Sequence, residues 1–427
     1  MQPIEYTSKR LRERYLYLKH PSGLSVYVFP KQLTGTYALL ATDFGSIDTV
    51  YRTDADGEVR LPDGIAHFLE HKLFENEDGS DSFARFSELG ADANAYTTYN
   101  KTAYLFSTTE HFEESLEELL QFVTHPHFTE ASVKKEIGII SEEIRMTEDN
   151  PWDRGFQLLL SALYQNHPVR NHICGTQESI RKIHANMLYD CCRIFYHPSR
   201  MTLVVCGDVD VDTVIGTVDR VLPSGKMCEC VTGCMPNEPE TVYQARVQSR
   251  MQVAKPIFFM GFKDSFFPKD SAARIRRDAA MALLNEIMFS RSGRFYNELF
   301  EEGVITPSFS CGYSVAENFA FNCISGESDT PDVVTQKVME TVERFREEGI
   351  SDEDLERCRR VLYADEIRAY DSTEEIANRL LSFVMDGADL FAYPELIEAI
   401  TKEELMDLLH TLYRQEYLSV SVIDPLE

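Results

Sequence analysis

The chain has 427 residues, with 42 Lys and Arg against 70 Asp and Glu and a formal net charge of −28. That imbalance repels phosphate over most of the surface and excludes nucleic acid as the main partner. The 43% hydrophobic content, with 26 Phe and 20 Tyr, excludes a disordered chain.

No apolar run approaches the roughly 20 residues of a membrane span. Residues 1–20 carry Lys9, Arg10, Arg12 and Arg14 with no apolar stretch behind them, unlike a secretory signal. The expectation is a cytoplasmic protein of two or three domains, no membrane partner, and ten reduced cysteines.

Alternating apolar residues predict strands over 24–29 and 36–41 and another extended stretch over 96–107. Helical spacing follows over 111–124, 129–147 and 151–164. A strand at 201–206 ends at Gly207-Asp208, and a helix resumes over 211–221. This mixture predicts an α+β class, a mostly antiparallel sheet covered by helices on one face. Residues 223–241 interrupt it with three Pro and two Gly, so the linker is placed at 226–244, between domains 1–225 and 245–427.

Beyond the linker the plan repeats. Ser351-Asp352-Glu353-Asp354 opens a helix as Thr129-Glu130-Ala131-Ser132 does, and Glu366-Ile367-Arg368 echoes Glu143-Ile144-Arg145 at an offset of 223. The closing strand at 418–422 echoes 203–205. Two homologous domains follow, the second without a metal motif.

The sharpest local signal is His67-Phe68-Leu69-Glu70-His71. On a helix, residues four apart share a face, so His67 and His71 can present two imidazoles to one ion. Glu70, beside that face, can take a proton from an attacking water. Pro62 and Asp63 supply a start signal, with Asp63 as the N-cap. The competing reading is an amphipathic helix whose histidines are satisfied by hydrogen bonds.

A catalytic zinc needs a third protein ligand. In the segment from Val133 to Ile144, Val133, Ile137, Ile140 and Ile144 form an apolar stripe that faces the core. Glu136 and Glu143 lie two turns apart on one side, where one can ligate and the other support from behind. Glu142 and Glu148 compete, and spacing does not choose among them.

The H-x-x-E-H motif, with Gly64 through Glu75, Gly90 through Thr97, Glu136 through Glu143, His167-Pro168-Val169, Gly175-Thr176 and Phe195 through Ser199, resembles the pitrilysin/insulinase family of zinc peptidases, the inverzincins. That family includes the mitochondrial processing peptidases, and the likeness is nearest to its YmfH-type bacterial group. The resemblance implies one Zn2+ per chain held by His67, His71 and Glu143. It makes Glu136 an outer neighbour, Glu70 the general base, and Asn94 and Ala95 part of an edge strand that binds substrate backbone.

The second half departs from the family pattern. Where the family carries an Arg and a Tyr that reach the substrate carbonyl, this chain has Phe300 and Thr306. Neither side chain can replace a guanidinium or a phenol as an oxyanion donor. The resemblance therefore implies a zinc endopeptidase subunit working on peptides or unfolded segments in a chamber of two facing subunits. The expected partner is a homologous chain carrying the Arg and Tyr, a homodimer being the lesser option. The alternative is a non-hydrolytic, zinc-containing interaction or maturation subunit.

Other features carry less. Cys228-x-Cys230-x3-Cys234 fits no common zinc spacing, Cys191-Cys192 reads as packing, and the acidic run 75–81 reads as a solvated turn. His125, His127, His167 and His172 are read as loop residues without chemistry.

Overall fold

The computed structural model describes residues 3–53, 57–77, 79–225 and 231–426. In the first half the strands are β1 (Ile4–Ser8), β2 (Glu13–Lys19), β3 (Ser25–Pro30), β4 (Thr36–Thr42), β5 (Val50–Thr53), β6 (Gly57–Arg60), β7 (Asp92–Thr97), β8 (Thr102–Thr108) and β9 (Met201–Gly207). Its helices are α1 (Ile65–Leu73), α2 (Ser82–Glu88), α3 (Phe112–Thr124), α4 (Glu130–Asp149), α5 (Pro151–Leu163), α6 (Gln177–Ile180), α7 (Ala185–Phe195) and α8 (Val211–Val221). The second half supplies β10 (Val231–Gly233), β11 (Arg246–Met251), β12 (Ile257–Lys263), β13 (Ser310–Val315), β14 (Ala320–Glu327) and β15 (Leu418–Pro425). With them come α9 (Ser271–Phe289), α10 (Arg294–Glu301), α11 (Pro331–Glu348), α12 (Asp352–Ala369), α13 (Thr373–Met385), α14 (Tyr393–Ala399) and α15 (Lys402–Leu412).

The strands form a seven-stranded sheet in the order β1-β2-β3-β9-β4-β8-β7 and a five-stranded sheet in the order β11-β15-β12-β14-β13. Among the described residues only β3 with β9 and β11 with β15 run parallel. In the first sheet Leu39 lies opposite both Val204 and Leu105; in the second, Met260 lies opposite both Val420 and Ile324. Strand for strand, β3, β9, β4, β8 and β7 correspond to β11, β15, β12, β14 and β13. The fold is α+β, with two homologous domains.

Helix starts repeat as well. Ser132 N–H donates to Thr129 Oγ1 (3.1 Å) ahead of α4, and Asp354 N–H donates to Ser351 Oγ (3.0 Å) ahead of α12. Each hydroxyl satisfies an amide that the first helical turn leaves without a partner. The expected extended stretch 96–107 is instead a hairpin broken between Thr97 and Thr102, where Thr98 and Lys101 pair across the turn. A small third sheet, β10-β5-β6, sets Val231 opposite Thr53, so part of the expected linker is strand. Residues 226–230 lie outside the described residues, and with them Cys228 and Cys230.

Both faces of each sheet are apolar, because side chains alternate along a strand. In the first sheet Val26, Val28, Ala38 and Leu40 join the core beneath α1, α3, α4 and α7. Phe29, Tyr37, Leu39 and Val204 point the other way and pack on Ile376, Ala377, Leu380 and Leu381 of α13. In the second sheet Phe258, Met260 and Phe262 meet α9, α11 and α15. Phe259 meets Trp152 and Phe156 of α5, with ring centroids 5.7 and 6.0 Å away.

The compact units therefore do not follow one cut in the chain. One unit comprises residues 1–144, 172–234 and 367–391, the other residues 145–171, 235–366 and 392–427. Each sequence half holds its own sheet and gives one helix to cover the far face of the other sheet.

Candidate metal centre

The site belongs to the first unit and starts at α1. Gly64, not Asp63, caps this helix, in the left-handed region at φ 89° and with no side-chain cap. The reason lies in the loop before α6. A Cβ on Gly64 would stand 2.4 Å from the Cys174 carbonyl oxygen, and one on Gly175 (φ 73°) would stand 2.3 Å from the Asp63 carbonyl oxygen. Ser179 Oγ donates to that same Asp63 oxygen at 2.8 Å. Two glycines thus let residues 174–175 press directly on the helix start, and the Asp63 carboxylate is not used as a cap.

Ile65, Ala66, Phe68 and Leu69 anchor α1 in the core, which turns His67 and His71 toward α4. On α4, Val133, Ile140 and Ile144 are buried and Ile137 is partly buried, so the stripe fixes the rotation of that helix. Its glutamates then meet the imidazoles. His67 Nε2 lies 3.2 Å from Glu143 Oε1, and His71 Nε2 lies 3.3 Å from Glu143 Oε2. His71 Nδ1 lies 3.1 Å from Glu136 Oε1. The competing glutamates, Glu142 and Glu148, are exposed and stand apart from this cluster.

Charge follows geometry. The His67 and His71 contacts hold the Glu143 carboxyl well below the usual carboxylate range. Burial on its own would lower the pKa of His71, but Glu136 and Glu143 together push it up to about 10. His67 is buried, and its Nδ1 makes no hydrogen bond, so the ring engages polar partners through Nε2. Two imidazoles facing one buried-edge carboxylate form a donor set suited to zinc, whose tetrahedral ligands at about 2.0–2.1 Å stand about 3.3 Å apart.

One donor has no counterpart in the motif. Cys174 Sγ is 3.6 Å from His67 Nε2 and 3.8 Å from Glu143 Oε1. Among the described residues, His67, Glu143 and Cys174 are the donors that all lie within 4.8 Å of one another; His71 meets Glu143 through its other oxygen. No spacing rule links a cysteine 31 residues beyond Glu143 to this site, so the sequence offered no signal for it.

Glu70 points to the sheet side, where its Oε2 accepts a 2.5 Å hydrogen bond from Thr97 Oγ1 at the end of β7. That strand is an edge, paired only with β8 among the described residues. Asn94 is exposed on it, and its Oδ1 accepts from the Ala95 amide at 2.8 Å. Beneath, Tyr104 and Tyr196 are buried with their hydroxyls 3.0 Å apart.

In the second unit, Phe300 is 45% exposed on α10 with its ring against Tyr296, and Thr306 Oγ1 sits 2.7 Å from Ser308 Oγ. His167 is buried and holds the Val169 amide on its Nδ1, a structural turn. Cys191 and Cys192 are buried in the core.

Comparison with known proteins assigns the chain. Residues 58–177 match the insulinase (peptidase family M16) profile, and residues 182–362 match the profile described as the peptidase M16 inactive domain. Over 100% of this chain and 99% of the relative, it is 37% identical to the uncharacterized zinc protease YmfH of Bacillus subtilis. A crystal structure of a putative M16-like peptidase from Alicyclobacillus acidocaldarius superposes with a TM-score of 0.94 at 33% identity, covering 98% of this chain and 100% of that one. Pitrilysin shares the fold at a TM-score of 0.75 and 16% identity, over 99% of this chain and 46% of its own. The protein belongs to the insulinase, or M16, family of peptidases.

Proposed function

We propose that the chain is a zinc-dependent endopeptidase subunit in which His67, His71 and Glu143 hold the metal and Glu70 is the general base. The observation that carries this reading is the convergence of both imidazole Nε2 atoms on the two oxygens of Glu143, at 3.2 and 3.3 Å. When bound, zinc supplies Lewis acidity at the scissile carbonyl and lowers the pKa of the attacking water. The remaining work falls to side chains. Glu70, oriented by Thr97, takes the proton from that water and returns it to the departing amine. Glu136, 3.1 Å from His71 Nδ1, fixes the ring so that Nε2 faces the metal position.

Substrate binds by strand addition along β7, where Asn94 and Ala95 offer backbone and amide partners to an extended peptide. Extended segments fit such an edge and folded domains do not. No helix among the described residues is long and apolar enough to cross a membrane.

The chain acts as one of two facing subunits. Phe300 and Thr306 supply no oxyanion donor, and pitrilysin is about twice as long as the segment this chain matches. A homologous partner carrying the Arg and Tyr completes the chamber; full activity in a verified monomer would overturn that arrangement. The second reading is a non-hydrolytic zinc-containing interaction subunit, favoured by the same Phe300 and Thr306.

Glu70→Gln separates the two. Assayed in the assembled, two-subunit form, a peptidase loses about 10²–10⁴-fold in turnover of an internally quenched peptide while keeping about one zinc per chain by elemental mass spectrometry. A non-hydrolytic subunit shows no turnover change between wild type and variant.

A further inference from the structure

The geometry points to Cys174 as a fourth protein donor to the same metal, so that the loaded site rests closed. The inference rests on the zinc reading above. Tetrahedral zinc with bonds of about 2.0–2.1 Å to nitrogen or oxygen and about 2.3 Å to sulfur spaces its sulfur and nitrogen donors about 3.6 Å apart. Cys174 Sγ stands 3.6 Å from His67 Nε2 and 3.8 Å from Glu143 Oε1, while those two atoms stand 3.2 Å apart. Three edges of one tetrahedral face are therefore already set, and sulfur is one of its corners. The compact donor group includes Cys174 in preference to His71.

The thiol is also held in place. The Cys174 amide donates to His172 Nδ1 at 3.2 Å, and its carbonyl presses against Gly64 at a distance no other residue would permit. With 6% exposure, Cys174 is buried. Its backbone cannot withdraw without moving the start of α1, so any release of the sulfur is a rotation of the side chain.

The chemistry has a direct consequence. Zinc sites with four protein donors are structural, whereas catalytic sites keep one position open. With His67, His71, Glu143 and Cys174 all engaged, the open position forms only when the sulfur gives way to solvent or substrate. Cys174 then sets how much of the metal-loaded chain is ready for turnover, and a soft thiolate favours zinc over harder cations such as magnesium or manganese.

Cobalt(II) substitution of the full chain tests this, because a thiolate on cobalt gives a near-ultraviolet charge-transfer band that nitrogen and oxygen donors do not. One equivalent of cobalt in the wild-type protein is expected to produce the band. Cys174→Ser is expected to lose it while keeping the visible ligand-field bands, with metal affinity falling at least about 10-fold. His67→Ala is expected to abolish both, which excludes a site built from other cysteines. Visible bands without the charge-transfer band in wild type would overturn the role of Cys174 and leave the His67, His71 and Glu143 site standing. A band that survives Cys174→Ser would overturn it too, and failure to bind cobalt at all would overturn both readings.

Discussion

The two units share a strand order and differ where chemistry would occur. In the first, α1, α4 and β7 meet over the buried phenols of Tyr104 and Tyr196. In the second, α9, α12 and β13 enclose a cavity of about 360 Å3 lined by residues that include Asn285, Glu286, Cys311 and Tyr313, and by no histidine among the described residues. The floor changes with it. There Asn322, Tyr413 and Asn285 close a buried ring of hydrogen bonds at 2.8–3.2 Å.

Under the donor cluster, burial pushes both phenols well above their ordinary value, and the charge of Glu70 adds to the effect. The floor there stays neutral. In the second unit Asn285, Asn322 and Tyr413 satisfy one another, and no cluster of three metal donors forms there among the described residues. A shared scaffold thus carries two polar interiors, one in which imidazoles and a carboxylate face one another and one whose groups are consumed internally.

The most severe test of this contrast compares Glu143 with Glu366, which open the matching Glu-Ile-Arg triplets of α4 and α12. Glu143→Gln should cut zinc affinity by more than about 100-fold, read as lost stoichiometry in elemental mass spectrometry. Glu366→Gln should keep full zinc, and zinc loss there would break the asymmetry between the units.

Next in size is Asn322→Ala, which strands the polar groups of Asn285 and Tyr413. It should destabilise the chain by about 3 kcal/mol in urea unfolding, with zinc stoichiometry intact.

A smaller, pH-dependent difference belongs to the second unit. Burial lowers the pKa of His167 from 6.5 to about 4, Glu238 and Asn318 opposing. The unfolded chain then binds the proton more readily than the folded one, so stability is complete above pH 6.5 and drains as pH falls toward 4. About 2 kcal/mol should be lost by pH 5. Urea midpoints measured from pH 7 to 5 check this, and His167→Gln should flatten that slope.

How much of this was legible beforehand can be argued residue by residue. The H-x-x-E-H pair and the stripe of Val133, Ile140 and Ile144 were readable because each reports a local periodicity. The Glu143 and Glu366 echo, at an offset of 223, marked the duplication and also marks where the chain passes from one unit to the other in both halves. The exchange itself was not legible. An apolar face on 151–163 or 373–385 says that a helix must be covered, not which sheet covers it. Cys174 and the cap at Gly64 stayed hidden for a related reason, since both depend on two loops 110 residues apart pressing together.

The exchanged helices have a consequence for how the chain is made. Residues 3–207 complete the first sheet, yet its far face, with Phe29, Tyr37, Leu39 and Val204, waits for Ile376 to Leu381. At about 5–20 residues per second, a ribosome needs roughly 10–30 s to deliver them. Through that interval an apolar sheet face stands open on the nascent chain, a ready target for aggregation or for chaperone binding. Neither sequence half, expressed alone, would escape that state.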